Sequence, residues 1–245
     1  MMPFLAITKK EFLDFGRSPL VMVILVSFLL MINSATFFLG RILDRNQADL
    51  ASFFQFMPWV LSFFTSAIGI KFWAEERQRG TIQLLLTWPV TLMELVIGKF
   101  LASWFLLLIG LGFTWPLIAS IAYLGQPDYG TIFSGYLAAW LLAGTFLSLA
   151  QLASTFSGSQ VLSFILSLCF QLALLLPSWT GFLAWLGDFL PASLIVWLRE
   201  FGILHRFQNL TQGVLYGRDI GFFLSITLLG LSATIISLRR NRDRL

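Results

Sequence analysis

Apolar residues in this chain come in long unbroken runs rather than in alternation or narrow stripes. A run of about 20 residues is what an α-helix needs to cross roughly 30 Å of hydrocarbon. Six stretches meet that requirement: Leu20–Gly40, entered through Pro19; Phe53–Phe72; Val96–Tyr123; Ile132–Phe156; Val161–Leu176; and Ile220–Leu238, which Arg239 and Arg240 stop. The fourth and fifth lie within 59 residues, between Asp128 and Asp188, that carry no acidic or basic side chain. Ser157-Gly158-Ser159-Gln160 turns one into the other. The pattern predicts an all-α polytopic membrane protein with six transmembrane helices.

Two segments fit neither span nor simple loop. Over residues 1–18 a helical wheel gathers Phe4, Leu5, Thr8, Phe12 and Phe15 into an arc of about 100°, with Lys9, Lys10, Glu11 and Asp14 outside it. This predicts an amphipathic interfacial helix lying along the membrane surface. Segment 177–218 is dense in aromatic residues (Trp179, Phe182, Trp185, Phe189, Trp197) yet is broken by Pro177, Gly181, Gly187, Pro191 and Gly202. Short half-inserted helices before the last span satisfy both facts. A seventh span over 182–198 would set Asp188 in mid-bilayer at ~2.5–3.5 kcal/mol, and it is rejected. Residues 19–245 thus read as one transmembrane domain, with loop 71–95 and the re-entrant segment 177–218 as its excursions.

Charge then orients the bundle. Of 16 basic residues, eleven fall on the side of the termini: Lys9, Lys10, Arg17, Lys71, Arg77, Arg79, Lys99, Arg239, Arg240, Arg242 and Arg244. Arg41, Arg45, Arg199, Arg206 and Arg218 fall on the other. The positive-inside bias places both termini in the cytoplasm. Charged residues make up only 11% of the chain, against about 25% in soluble domains. The first apolar run is a full span without a small-x-small cleavage site behind it, so a removable signal peptide is not expected. The net charge of +4 suggests neither nucleic acid nor an acidic substrate as partner.

The inventory of chemical groups is short. One histidine, His205, and one cysteine, Cys169, exclude a His/Cys metal cluster and an intramolecular disulfide. His205 reads as an interfacial histidine with its hydrogen bonds met; a set with Asp188, Glu200 and Asp219 is too loosely spaced for a catalytic centre. Lys99 stands at the start of the third span, where its stem can reach the interface. Near mid-membrane the polar candidates are Asn33, Gln151 and Gln171, all uncharged, which either line a path or bond between helices. A phosphate loop is missing: Gly98-Lys99-Phe100 has neither the upstream glycine nor the following hydroxyl. No catalytic residue, cofactor or metal is expected in this chain, so uphill work would draw on a partner's energy.

One charged element on the side of the termini looks ordered. Segment 71–90 reads KFWAEERQRGTIQLLLTWPV. Glu75 and Glu76 followed by Arg77 and Arg79 favour a helix leaving the membrane; Gly80 bends it; Thr81 can cap a second short helix that Pro89 closes. On the residues alone this element either packs back on its own bundle or offers a docking surface. The run Glu-Glu-Arg-x-Arg-Gly-Thr-x-x-x-Leu-Leu-x-x-Pro-Val, with Gly98-Lys99-Phe100 at the next span, resembles the first cytoplasmic loop of ABC-2-type permeases, the membrane subunits of ABC exporters. The stretch from His205 to Asp219 is similar to the gliding-motility (Gld-type) and NosY-like subgroup.

The resemblance implies a bacterial plasma (inner) membrane protein. Two permease chains, homo- or heterodimeric, would form the translocation path above two ATP-binding subunits, which hold the ATP and Mg. By position, Glu75, Glu76, Arg77, Arg79, Gly80 and Thr81 would form the coupling corner. Gln83, Leu84 and Leu85, with Pro89 behind them, would seat in the partner's groove. The small residues Gly135, Ala139, Ala143, Gly144 and Ser148 on the fourth span read as a close-packing stripe within the chain. An ATP-independent carrier or channel, or a scaffold for a surface machine in gliding or cofactor assembly, are the other functions compatible with the sequence.

Overall fold

The computed structural model describes residues 3–40, 49–78, 80 and 91–242. Its elements are α1 (Pro3–Arg17), α2 (Pro19–Ser34, running on as a π-helical turn over Ala35–Leu39), α3 (Ala51–Gly69) and α4 (Ala74–Gln78). There follow α5 (Leu92–Gly112), α6 (Trp115–Leu124), α7 (Tyr129–Ser154) and α8 (Gln160–Leu175, extended by a 3-10 turn Leu176–Ser178). The chain ends with α9 (Thr180–Gly187), α10 (Ala192–Phe201), α11 (Ile203–Thr211) and α12 (Gly217–Arg242). No strand occurs among the described residues.

Among the described residues, six helical stretches are long and apolar enough to span a membrane: Pro19–Leu39, Ala51–Gln78, Leu92–Tyr123, Tyr129–Ser154, Gln160–Ser178 and Gly217–Arg240. They correspond one for one to the six predicted from the apolar runs. An even number of spans puts α1 and the end of α12 on one face, together with the α4 corner and the α7–α8 turn. Segment 177–218 forms the short helices α9, α10 and α11 on the opposite face. Asp188 lies in the break between α9 and α10, and Pro191 caps α10, so a seventh span is interrupted where the charge would have been buried.

Local chemistry sets the helix ends. Pro19 starts α2, where a missing N–H costs nothing. Asp128 caps α7 by accepting from the Gly130 amide at 2.9 Å. Thr91 and Glu94 form a reciprocal capping box at the start of α5: Thr91 Oγ1 accepts from the Glu94 amide at 3.2 Å, and a Glu94 carboxylate oxygen accepts from the Thr91 amide at 2.9 Å. The third span, expected as one helix, is two. It breaks at Phe113–Thr114, where Pro116 at the head of α6 cannot donate to the preceding turn. Thr114 instead donates its hydroxyl to Leu111 O at 2.6 Å.

Helix α7 is the axis of the bundle. Most of the residues in its apolar stretch are buried, as are most in the span that holds α3, whereas in the spans of α2, α8 and α12 only about a quarter are, and these present apolar flanks outward. The small-residue stripe makes this packing possible. A side chain at Gly144 would meet the Trp104 indole at 2.8 Å, and Trp104 stacks flat on Trp140 with centroids 4.1 Å apart. Gly135 leaves room for the Phe54 ring, while Ser148 presses against Gly230 of α12. The stripe therefore serves contacts within the chain.

Gln151 and Gln171 bond between helices. Gln151 donates to Val96 O at 3.0 Å, and Gln171 donates to Phe146 O at 3.2 Å while accepting from Thr65 Oγ1 at 3.1 Å. Asn33 donates to Leu29 O in its own helix. The two glutamines that might have lined a path through one chain thus tie its helices together, while Asn33 is satisfied within its own.

Candidate coupling site

At the end of α3 the chain turns out of the bundle through Ile70–Trp73 into α4. Gly69 allows α3 to touch α7, since a side chain there would meet Ala150 Cβ at 2.7 Å. Phe72, Trp73 and Ala74 are fully buried, and the Phe72 ring meets Phe15 of α1 edge-on at 6.0 Å. The corner is thus a packed part of the bundle before it becomes a projection. Arg77 lies against the α7–α8 turn, with its Cβ 3.8 Å from where a side chain on Gly158 would begin. Gly80 then takes φ +71°, a left-handed conformation that glycine adopts without strain, and its amide donates to Arg77 O at 3.1 Å.

The centre of the site is a buried ion triad. Lys99 of α5 donates to Glu76 Oε1 of α4 at 2.7 Å and to Glu11 Oε2 of α1 at 3.0 Å. The three side chains are 3%, 17% and 10% exposed, so one ammonium is shared by two carboxylates largely out of water. The ammonium also lies 5.5 Å from the Trp73 ring centroid. Gly98 lets α1 settle onto α5 at this level, because a side chain there would strike Ile7 at 2.9 Å. A second cation, Lys71, sits over the Phe15 ring at 5.7 Å. Three elements that are far apart in the sequence meet at one nitrogen.

Two expectations change here. Glu11 was expected on the watery side of α1; it is only 8% exposed and faces Lys99. The packed face of α1 runs through Ile7, Glu11 and Phe15, spaced every four residues, because a carboxylate opposite a buried ammonium is better placed inside than out. Lys99 was expected to stretch toward the interface, yet it is 2% exposed and is held by its two carboxylates. Of the predicted corner, Glu75, Glu76, Arg77 and Gly80 are in place around the turn. Arg79, Thr81, Gln83, Leu84, Leu85 and Pro89 lie outside the described residues. Glu11 and Lys99 complete the site.

The sequence matches the ABC-2 family transporter protein family over residues 5–236. The chain belongs to the ABC-2 transporter family. No curated protein matches it. This ABC-2 chain is accordingly a multi-pass transmembrane permease of an ABC transporter, a kind of membrane component that works with an ABC ATP-binding subunit. The match runs from α1 through most of α12, so it takes in the triad as well as the corner.

On the opposite face of the permease, the His205–Asp219 stretch forms a structural clasp. Asp219, fully buried at the start of α12, accepts from Arg206 at 3.0 Å and from Asn209 at 3.4 Å. The Arg206 guanidinium lies 4.3 Å from the Phe222 ring centroid. Among the described residues no three His, Cys, Asp or Glu side chains converge as metal ligands. Asp219 is therefore committed to holding α11 against α12.

Proposed function

We propose that this chain is the permease subunit of a bacterial inner-membrane ABC exporter. In this reading both termini are cytoplasmic, and two copies of an ATP-binding subunit grip the segment between Gly80 and Thr91. Two permease chains form the path between them. The observation that carries the reading is the triad. A docking element transmits a rigid-body stroke only if its root is fixed to the membrane bundle, and Glu76 fixes the root of the corner to both α5 and α1 through Lys99.

Apolar anchors Leu84 and Leu85, with Gln83 and Thr81 beside them, supply affinity for the partner's groove, while Glu75, Arg77 and Arg79 set its register. Pro89 ends the docked helix before the chain returns at Thr91. ATP and Mg stay with the partner, and the permease itself does no bond chemistry. Polar groups inside one chain are taken up between helices, which supports a path between chains rather than through one. The apolar flanks of α2 and α8 suit the second permease copy. They flank α3 as a continuous wall in which Phe63 meets Phe164 edge-on at 5.4 Å and Phe28 meets Phe64 at 5.6 Å. The His205–Asp219 stretch supports placement near the gliding-motility and NosY-like permeases.

The test is co-purification of the permease with its separately encoded ATP-binding subunit. Leu84→Asp places a charge in the groove, and Gly80→Pro cannot adopt the left-handed turn. Both are expected to release the ATP-binding subunit while leaving the permease folded. A complex that survives both substitutions refutes docking at this loop.

A further inference from the structure

A second apolar feature lies beside the triad, on the outer side of α1. Thr8, Lys9 and Phe12 of α1 and Ala102, Phe105, Leu108 and Ile109 of α5 enclose an open groove of about 380 Å³. Each helix contributes residues at helical spacing, so the groove is the valley between two packed cylinders. Ala102, which is fully buried, keeps its floor low, and Phe105, Leu108 and Ile109 stay 40–46% exposed along its length. No element among the described residues fills it.

The groove has a polarity along its axis. Its outer end holds the Lys9 ammonium, exposed and in no ion pair among the described residues, while the neighbouring Glu11 is turned away toward Lys99. Its inner end is wholly apolar. Ile109 lies ten residues beyond Lys99, or ~15 Å along the helix at 1.5 Å per residue. That is about half of a 30 Å hydrocarbon core. The groove's own lining on α5, Ala102 to Ile109, covers seven residues or ~10 Å of this distance, so it opens on the apolar side of the triad and reaches toward mid-bilayer, with a cation at its edge.

We propose that this groove is a binding site for one anionic phospholipid of the leaflet on the α1 side. An acyl chain would lie against Phe12, Ala102, Phe105 and Ile109, and the headgroup phosphate would pair with Lys9. The apolar lining suits one segment of an acyl chain, and the Lys9 charge at its edge complements a phosphate. Neither a soluble peptide nor a free anion would account for the apolar half. The bound lipid would wedge against α1, the helix that carries Glu11 into the triad, so the root of the corner would sense lipid charge. The proposal concerns the permease alone and stands whether or not loop 81–90 docks an ATPase.

The experiment is native mass spectrometry of the purified permease in a mild detergent, with phosphatidylglycerol and phosphatidylcholine of identical acyl chains. Wild type is expected to keep one phosphatidylglycerol in preference to phosphatidylcholine by roughly fivefold, the factor one basic side chain contributes at an anionic membrane surface. Lys9→Glu, a solvent-exposed change that leaves packing alone, should abolish the preference and turn it toward phosphatidylcholine. Ala102→Phe should fill the groove and abolish retention of both. Arg239→Glu, a charge reversal elsewhere on the same face, should keep the preference.

Equal retention by wild type overturns the proposal. So does loss of the preference in Arg239→Glu, which would mean diffuse surface attraction. If Ala102→Phe instead separates permease copies and leaves the lipid count unchanged, the occupant is a second chain and the lipid site is refuted. Should Ala102→Phe fail to fold, the comparison of Lys9→Glu with Arg239→Glu decides.

Discussion

Replacing Lys99 by methionine keeps most of the side chain's length and removes its charge. The two carboxylates it held, Glu11 and Glu76, both reach one nitrogen, at 3.0 and 2.7 Å, and so lie within about 6 Å of each other. At an effective dielectric constant near 20, two like charges at that separation repel by about 3 kcal/mol. Mutational experience with half-broken buried ion pairs gives a similar figure, ~3–5 kcal/mol. Lys99→Met should therefore destabilise the permease by ~3–5 kcal/mol in equilibrium unfolding by SDS in mixed micelles. The triple replacement Lys99→Met, Glu11→Gln, Glu76→Gln should recover most of the loss, because neutral groups of similar shape substitute for buried ions at little cost. The reasoning is refuted if Lys99→Met costs less than about 1 kcal/mol. It is equally refuted if the effects of Lys99→Met and Glu11→Gln simply add within ~0.5 kcal/mol, as they do for residues that do not interact. The triple variant separates stability from coupling: it should fold, yet lose the ATP-driven response of the membrane domain in proteoliposomes.

Other parts of the structure give further tests. Gly144→Leu forces a side chain into the stacked Trp104–Trp140 pair and should cost ~1–3 kcal/mol by overpacking, with a change in tryptophan fluorescence. Gln171→Leu removes interhelical hydrogen bonds to Phe146 and Thr65 and should cost ~1–2 kcal/mol in SDS titration, at the upper end of such bonds in membranes. Arg206→Leu removes the short ion pair of the buried Asp219, leaving it the exposed Arg218 at 3.7 Å and Asn209, and should cost ~1.5–3 kcal/mol, the range for a hydrogen bond to a charged group, with protease sensitivity rising in α9–α11. The Thr131 hydroxyl, helped by the Gly130 and Thr131 amides, holds the Asp128 carboxyl below its ordinary value of 3.8. Its cap on α7 is thus fully present above that value and is lost only as pH falls through the lower one. Melting temperature from neutral down to mildly acid pH should accordingly be the same for wild type and Asp128→Asn in its pH dependence.

The number and placement of the spans were the most legible property of the sequence, because run length maps directly onto bilayer thickness without any knowledge of tertiary contacts. The break in the third span could have been read from Pro116, though the apolar run continues through it. The short helix that carries Glu75, Glu76 and Arg77, and the bend at Gly80, were legible from the residue types alone. Their partner was not. Glu11 and Lys99 are 88 residues apart, and a helical wheel treats any glutamate as outward-facing. A lysine at a membrane edge has the same local sequence whether it reaches for water or for a buried carboxylate. The only local hints were Gly98 beside Lys99, where a helix can approach closely, and the four-residue spacing of Ile7, Glu11 and Phe15. Gln151 and Gln171 posed the same difficulty: composition shows that they are polar and central, and only the packed structure shows which backbone carbonyls they reach.

The triad also explains why an otherwise apolar junction contains charge at all. Helices α1 and α5 meet along side chains such as Ile7, Phe12 and Ala102 that could slip by a turn and repack with little loss, since one apolar surface resembles the next. A slip of one turn moves a side chain 5.4 Å along the axis. That would carry Lys99 Nζ out of hydrogen-bonding reach of Glu11 and Glu76, leaving charges buried without partners. The ion cluster therefore fixes the register of α1, α4 and α5 against one another even if it adds little net stability, the use for which buried polar groups are best attested. Displacement of the corner must then carry α1 and α5 with it or break the triad. In the proposed coupling, a push on the loop beyond Gly80 would reach the start of the third span and α1 together, so that a stroke delivered at one point would move two elements of the bundle.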